Sequence, residues 1–147
     1  MRGLQTMALR DRMRFLFVLL WLIVVAPARA DWVKVGEVSK SALFFLSATT
    51  VYLIDPTTIT RDGSFRKVWE IRNLSDKGPS GERSILASVE FDCADKRMRT
   101  LSATGHSEPM ASGQIIPLRN VLDDWTNLSA GKDDQVFMKI LDLVCAP

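Results

Sequence analysis

The 147-residue chain has little of the chemistry that metal sites and hydrolytic sites need. It contains one histidine, His106, and two cysteines, Cys93 and Cys145. A transition-metal site is built from a cluster of His, Cys, Asp or Glu side chains, and a single histidine supplies too few ligands. The G-x-S-x-G pattern of serine hydrolases does not occur in the sequence. We therefore expect neither a metal site nor a serine hydrolase, and no cofactor.

Long apolar runs are also scarce, and the longest lies near the start of the chain. Residues 15–26 (FLFVLLWLIVVA) are uninterrupted apolar residues, which four arginines precede and Ala28-Arg29-Ala30 follows. This three-part pattern predicts a secretory signal peptide that is cleaved after Ala30. The alternative is an uncleaved membrane anchor, but a helix that spans a bilayer needs roughly 20 apolar residues. We expect residues 1–30 to be the signal peptide and residues 31–147 to form one exported domain.

A strong net charge is missing from residues 31–147. The signal peptide holds five arginines and one aspartate, so the exported part carries 14 basic and 16 acidic side chains, a net charge of −2. This part lacks the basic excess that nucleic-acid binding requires. The residue directly after Ala30 is Asp31 and not a cysteine, so the sequence predicts no lipid anchor. The protein is expected in the periplasm, outside the cell or at its surface.

Both cysteines lie in the exported part, where an oxidising compartment favours a disulfide bond. Closing a loop of this length contributes about 4 kcal/mol to the free energy of unfolding when the native geometry is unstrained. Intermolecular pairing and two free thiols are the alternatives. A bond between Cys93 and Cys145 is the expectation for this chain.

The first half of the exported part has strand patterns. Residues 32–38 alternate loosely, and residues 49–54 are β-branched and aromatic, so both predict strands. The apolar run 43–46 between them fits either a buried strand or a helical turn. Asp55-Pro56 is expected to end the second strand, because proline donates no hydrogen bond to a ladder.

Two hairpins are predicted next. Asp62-Gly63 is a dipeptide favoured in two-residue hairpin turns, and it separates residues 57–61 from residues 64–71. A second hairpin joins residues 84–93 to residues 96–107. In the first hairpin, alternation predicts that Phe65, Trp69 and Ile71 face the core and that Arg66, Glu70 and Arg72 face water. In the second hairpin it predicts an inward face made of Ile85, Ala87, Val89, Phe91 and Cys93.

The last third changes from strand to helix. Residues 114–118 predict a short final strand, and residues 120–128, with Trp125, have the apolar spacing of one or two helical turns. Residues 136–144 then place five apolar side chains on one side of an amphipathic helix that ends near Cys145. The fold class is therefore α+β: an antiparallel sheet of about five to six strands with a C-terminal helix tied to it by one disulfide.

Paired carboxylates are the one pattern that offers acid–base chemistry. Asp55 and Asp62 bracket one strand of the first hairpin, and Glu90 and Asp92 share the polar side of another strand. Two carboxylates on one face can act as acid and base when burial shifts their pKa values. Turn chemistry already explains Asp55 and Asp62, and the other two are expected to be solvated strand positions. We therefore predict no catalytic residue and expect that the protein is not an enzyme.

Basic residues form a candidate surface patch, made of Arg66, Lys67, Lys96, Arg97 and Arg99. Such patches bind polyanions or an acidic partner surface. Charged side chains that protect an edge strand from pairing are the alternative explanation. The patch is kept as a candidate site for a polyanion or a protein partner.

The exported part carries a set of short motifs in a fixed order: Trp32, Tyr52, Asp55-Pro56, Ile59, Arg61-Asp62-Gly63, Val68-Trp69, Ser84-Ile85, Glu90, Asp92-Cys93, Trp125 and Cys145. This set resembles the surface-adhesin protein E family of small exported bacterial proteins, across nearly all of residues 31–147. The resemblance implies an antiparallel sheet that carries a C-terminal helix, one disulfide, and a homodimer as a candidate assembly.

The resemblance also implies a function. The characterised adhesin binds host matrix proteins and is displayed through a lipid anchor, whereas Ala30-Asp31 stands here in place of a lipidated cysteine. No ligand-binding residue of the family can be placed on this sequence motif by motif. The expected function is a non-enzymatic binding module for a protein or extracellular-matrix ligand. The alternative is a periplasmic envelope domain with a structural or inhibitory role.

Overall fold

The computed structural model describes residues 30–41, 47–118, 123–128 and 135–147. The predicted signal peptide up to Arg29 lies outside these ranges, and so do the apolar run 43–46 and residues 120–122 of the predicted short helix. Those expectations stay predictions.

The described residues form seven strands and one helix. In chain order these are β1 (Val33–Ser41), β2 (Ser47–Asp62), β3 (Phe65–Leu74), β4 (Ser84–Asp92), β5 (Arg97–Glu108), β6 (Ser112–Ile116), β7 (Thr126–Asn127) and α1 (Gln135–Val144). Strands β1 to β6 pair in chain order as an antiparallel meander, and the two-residue β7 pairs with the start of β5. The predicted α+β class, an antiparallel sheet with a C-terminal helix, is confirmed.

Strand β2 continues through Asp55-Pro56, so the predicted end of the strand is wrong. Its pairing with β3 shifts between Asp55 and Thr60, and Pro56 lies in this irregular stretch. A bulge leaves a residue out of the ladder, which is where a strand tolerates proline. The buried Asp55 carboxylate accepts hydrogen bonds from the N–H (3.0 Å) and the hydroxyl (2.6 Å) of Thr57. The local turn therefore satisfies Asp55 without ending the strand.

Both predicted hairpins are present. Asp62 pairs with Phe65, so the two loop residues of the first hairpin are Gly63 and Ser64, one position later than predicted. Gly63 has a φ of 55°, in the left-handed region that glycine adopts without strain. The β4–β5 hairpin turns before Arg97 through Lys96, whose φ of 51° is also left-handed.

The hydrophobic core lies between α1 and one face of the sheet, which we call the closed face. Its buried members are Ile54, Val68, Ala87, Val89, Phe91 and Met98 from the sheet and Val136, Ile140, Leu141 and Val144 from α1. The inward side predicted for β4 is confirmed, since Ala87, Val89 and Phe91 are fully buried. The apolar side predicted for the C-terminal helix is confirmed in the same way.

The faces predicted for β3 are wrong at Trp69 and Glu70. Trp69 is 40% exposed, whereas Glu70 is 0% exposed. Val68 pairs with Val89 and Glu70 pairs with Ala87, and directly paired residues share one face of a sheet. The apolar side of β4 therefore sets the closed face of β3, and Arg72 follows Glu70 beneath the helix instead of facing water. Ile71 is buried as predicted, although it belongs to the other side of the strand.

The C-terminal part differs from prediction before the helix and agrees with it at the helix. Thr126 and Asn127 form β7, paired with Met98 and Arg97, where a helical turn was predicted. The disulfide between Cys93 and Cys145 is present, with the two Cα atoms 5.8 Å apart. It joins the end of β4 to the end of α1, as expected.

Gly36 lets α1 approach the sheet. It lies in β1 opposite Tyr52, and a Cβ atom at this position would be 3.0 Å from Cγ2 of Val136. That distance is shorter than ordinary van der Waals contact, so any larger residue pushes on the helix. Gly36 is thus a point of close packing between β1 and α1.

Candidate functional site

The second face of the sheet points away from α1, and we call it the open face. Cross-strand pairing places three rows of residues on it: Phe65, Asp92 and Arg97; Lys67, Glu90 and Arg99; Trp69, Ser88 and Ser102. The first two rows are charged and the third combines an aromatic ring with hydroxyl groups. Residues two apart on a strand lie on the same side, about 6.5 Å from one another, so the rows are neighbours.

The charged rows are ion pairs whose carboxylates lie beneath the cations. The Arg99 Nε and Nη2 atoms lie 2.7 Å and 2.6 Å from Oε2 of Glu90, and Lys67 Nζ is 3.7 Å from the other oxygen, Oε1. Glu90 is buried, whereas the Lys67 side chain is half exposed and that of Arg99 is about a third exposed. The carboxylate therefore holds Arg99 by hydrogen bonds and attracts Lys67 from a longer distance, and both cations remain accessible to solvent.

Asp92 holds Arg97 in the same manner. The Arg97 Nε and Nη2 atoms donate to Oδ2 of Asp92 at 3.1 Å and 2.9 Å, and the backbone N–H of Ala94 donates to Oδ1 at 3.1 Å. Burial favours the neutral acid, but these hydrogen bonds outweigh it and hold the pKa of Asp92 below its usual value. Asp92 is therefore an ionised structural acceptor and is unsuited to donate a proton near neutral pH.

Trp125 covers part of the charged rows. The guanidinium carbons of Arg97 and Arg99 lie 4.7 Å and 4.6 Å from its ring centre, and the Phe65 ring is 5.9 Å away. These distances are typical of cation–π interactions, and the interactions hold Trp125, just before β7, against the sheet. Trp125 was predicted to lie on an apolar helical face, and this interpretation is wrong.

Trp69 is the exposed aromatic residue of the third row. Its indole is 40% exposed in the middle of β3, and the neighbouring strands place Ser88 and then Ser102 beside it. Pairing between β4 and β5 shifts after Ser88, so β5 carries an extra residue next to this row. We call Trp69, Ser88 and Ser102, together with the adjacent row of Lys67, Glu90 and Arg99, the Trp69 platform.

The predicted basic patch is divided by the fold. Lys67, Arg97 and Arg99 come together on the open face through Glu90 and Asp92. Arg66 pairs with Phe91, on the side of the closed face, and its Nη1 donates to the carbonyl oxygens of Gly63 and Phe65. Lys96 lies in the β4–β5 turn. Binding of a polyanion by these residues stays a prediction.

Three of the four carboxylates considered for acid–base chemistry bind structural partners, and the fourth lies exposed. Asp55 is held by Thr57, Glu90 and Asp92 are held by cations, and Asp62 is exposed at the end of β2. Glu90 and Asp92 were expected to be solvated, yet both are buried, because the arginines of β5 fold over them. His106 is also buried, with Nε2 3.3 Å from the Thr104 hydroxyl. Within the described ranges, no three His, Cys, Asp or Glu residues are grouped as a metal site.

Sequence reasoning also missed a buried ion pair on the closed face. Arg72 donates through Nε to Oε1 of the fully buried Glu70, and its guanidinium carbon lies 5.9 Å from the ring centres of both Tyr52 and Phe137. Burial lowers the pKa of Arg72, but the Glu70 carboxylate and the Tyr52 hydroxyl together outweigh burial and hold the pKa above its ordinary value. For the Tyr52 hydroxyl, whose charged form is an anion, burial raises the pKa, so this group stays neutral. Phe137 of α1 lies beside Arg72, and Glu70 is fully buried, so this pair belongs to the packing of the closed face and not to a site.

Comparison with known families decides the relationship. A family model described as Surface-adhesin protein E matches residues 32–146. The chain belongs to this family. The match spans the whole sheet, the disulfide and α1, so the resemblance seen in the sequence is confirmed.

Solved structures of Haemophilus influenzae protein E have a similar fold. Crystal form II shares 16% sequence identity at a TM-score of 0.51, over 64% of this chain and 79% of that chain. The selenomethionine form gives 16% identity and a TM-score of 0.51, over 62% and 78% of the two chains. At this identity the likeness shows the fold alone. No curated protein matches the sequence.

In the part of the chain that the structure describes, no helix combines the length and the apolar character needed to cross a bilayer.

Proposed function

We propose that this protein is an exported, non-enzymatic binding module whose open face meets a host protein or another extracellular-matrix ligand. The observation that carries the proposal is the exposure of Trp69 in the middle of a strand, beside charged side chains already fixed by ion pairs. Tryptophan and arginine are enriched where binding energy concentrates in interfaces. Fixed side chains lose little rotamer entropy on binding, which favours affinity.

Membership of the surface-adhesin protein E family supports this function. The contrast between the two faces supports the location of the site. The closed face is filled by α1 and pinned by the disulfide, whereas the open face presents Trp69, Lys67 and Arg99 to solvent. The ion-paired carboxylates also favour binding over catalysis, because they are already engaged.

A binding assay tests the site. The full chain is expressed with its leader and purified in exported form, and its binding to immobilised vitronectin, laminin, fibronectin and collagen is measured. Trp69→Ser is expected to weaken binding at least tenfold. The matched control is Leu143→Ser, which removes an exposed apolar side chain, 52% exposed, from α1. Equal loss in both variants, or no binding to any matrix protein, would contradict the proposal.

A second assay separates the two cellular roles expected from the sequence. An adhesin must be reachable from outside, so protease added to intact cells is expected to degrade the protein. A periplasmic envelope domain with a structural or inhibitory role is protected until the outer membrane is opened. Complete protection on intact cells, with a known surface protein degraded in the same sample, would rule out the adhesin role and favour the periplasmic one.

A further inference from the structure

Negative charge outweighs positive charge on the open face. Lys67, Arg97 and Arg99 are paired with Glu90, Asp92 and Asp95 within 4.0 Å. Strand register adds Asp62 beside Phe65 and Asp55 beside Trp69, and the exposed Asp123 and Asp124 precede Trp125. A polyanion gains affinity from uncompensated cations, and these are compensated. The open face therefore does not favour an anionic ligand.

The polar groups of the Trp69 platform offer hydrogen bonds in both directions. Lys67 and Arg99 are donors, of which Glu90 holds Arg99 in place, and the hydroxyls of Ser88 and Ser102 can both donate and accept. Ser88 is half-buried and Ser102 is exposed, so both belong to the accessible surface. A neutral ligand with many hydroxyl groups matches this combination of donors and acceptors.

Trp69 supplies the apolar component. An indole that lies in a sheet face presents a flat apolar surface with a polar edge. Its neighbours on β4 and β5 are serines, whose short side chains leave a shallow surface beside the ring. This surface extends over about two strand spacings, roughly 10 Å. That length is roughly that of a disaccharide. The β5 irregularity beside Ser88 marks the same place, and bulges often re-aim side chains next to binding sites.

From this arrangement we propose that the Trp69 platform binds a neutral saccharide. One sugar ring stacks on the indole of Trp69, and its hydroxyls bond to Ser88, Ser102 and the Lys67–Glu90–Arg99 row. The inference rests on the proposed function and narrows it: the part of the matrix ligand that meets the open face is a neutral glycan.

The residues of the Trp69 platform favour a saccharide ligand over a protein ligand. A protein interface needs a contiguous apolar centre of several large side chains. Among the described residues, the other exposed large hydrophobic side chains are spread over different elements: Val33 on β1, Leu101 on β5, Met110 in a turn, Ile115 on β6 and Leu143 on α1. Only Leu101 of these lies near the bulge beside Trp69. A lone indole among hydroxyls and fixed charges is a better surface for a sugar.

The experiment screens the exported protein against an array of neutral mammalian-type oligosaccharides, with heparin oligosaccharides as the polyanion probe. Binding to at least one neutral glycan is expected, with a loss of tenfold or more in Trp69→Ser and no change in Leu143→Ser. Ser102→Leu fills the surface beside the indole without removing it, and it is expected to reduce binding by a similar factor. Melting curves show whether each variant is folded.

Several outcomes overturn the proposal. These are binding to heparin alone, an absence of neutral-glycan binding, or glycan binding that survives both Trp69→Ser and Ser102→Leu in folded protein. Enzymatic deglycosylation of a bound matrix protein distinguishes the saccharide proposal from the proposed matrix-binding function. Binding that is lost supports the saccharide proposal. Binding that persists on the bare polypeptide overturns it while the proposed matrix-binding function stands.

Discussion

On the closed face, Glu70 is fully buried beneath α1 and Arg72 binds one of its oxygens, whereas on the open face Glu90 and Asp92 lie beneath arginines that remain about a third exposed. In the first pair the Arg72 guanidinium lies beside the Tyr52 and Phe137 rings, and 22% of its side chain is exposed. The second set keeps its cations in contact with water. The same residue types therefore lie within the core on one face and present charge to solvent on the other.

This difference shows why burial of a carboxylate does not by itself mark a site. Glu70 and Glu90 are both buried, and both bind an arginine. They differ in what lies over the face that holds them. The helix α1 packs on one face, whereas the other face is exposed to solvent around Trp69. Variants of the closed face should therefore change stability and leave ligand binding intact, whereas variants of accessible open-face side chains such as Trp69 should change binding more than stability.

The largest expected effect comes from breaking the buried pair. Arg72→Met leaves the Glu70 carboxylate fully buried with no cation beside it, which costs about 3–5 kcal/mol of unfolding free energy. Urea unfolding of the exported protein measures the change. The double variant Glu70→Leu/Arg72→Met replaces the pair by apolar side chains and is expected to recover most of the loss. A single variant as stable as the wild type would mean that Arg72 is not needed to neutralise Glu70.

Removal of the disulfide is expected to have the next largest effect. Cys93→Ala/Cys145→Ala frees the end of α1 from the end of β4 and is expected to lower the free energy of unfolding by about 2–4 kcal/mol, since the unfolded chain regains entropy. The check is the shift in urea midpoint relative to the oxidised protein, with reduced wild type as the control. If reduction and the double variant give different midpoints, the cysteine side chains contribute to packing beyond the bond.

Steric pressure on the helix is a smaller way to disturb the closed face. Gly36→Val places methyl groups against Val136, whose Cγ2 atom already lies 3.0 Å from a Cβ built at Gly36. Overpacking of this kind costs about 1–3 kcal/mol. Hydrogen exchange should show the loss first in the amides of α1. Gly36→Val/Val136→Ala makes room for the new side chain and should restore protection; failure to do so would place the strain elsewhere in β1.

Much of the fold follows from local sequence patterns. The apolar side of β4, the apolar side of α1 and the Asp62-Gly63 turn signal each predict an element that the structure contains. These signals are local, because period and turn chemistry need only a few adjacent residues. The pairing of Cys93 with Cys145 also follows, since two cysteines in one exported domain allow a single intramolecular bond.

The orientation of β3 did not follow, and the candidate site depends on it. Its more apolar side contains Phe65, Trp69 and Ile71, and that side was predicted to face the core. The register between β3 and β4 decides otherwise, by placing Val68 beside Val89. The loop between these strands is too long to set that register by turn geometry. Exposure of Trp69, and with it the platform, could be found only after the register was known.

The smallest expected change concerns Asp92 on the open face, and it depends on pH. Because hydrogen bonds lower the pKa of Asp92 in the folded state, its ionised form stabilises the protein above its unfolded pKa of about 4, and this contribution is lost as the pH falls through the folded value. Asp92→Asn cannot ionise, so it is expected to be less stable than wild type at pH 7 and to approach it at pH 3.

The matched control is Glu37→Gln, which removes a carboxylate whose pKa is also lowered, in this case by Lys34, in a pair whose side chains are both exposed. Exposed pairs contribute little because water screens them, so this variant should show a smaller pH-dependent difference than Asp92→Asn. Urea midpoints of the three proteins between pH 3 and pH 7 provide the measurement. A difference for Asp92→Asn that stays constant across this range would mean that Asp92 acts through neutral hydrogen bonds, and the two faces would then differ in cover alone.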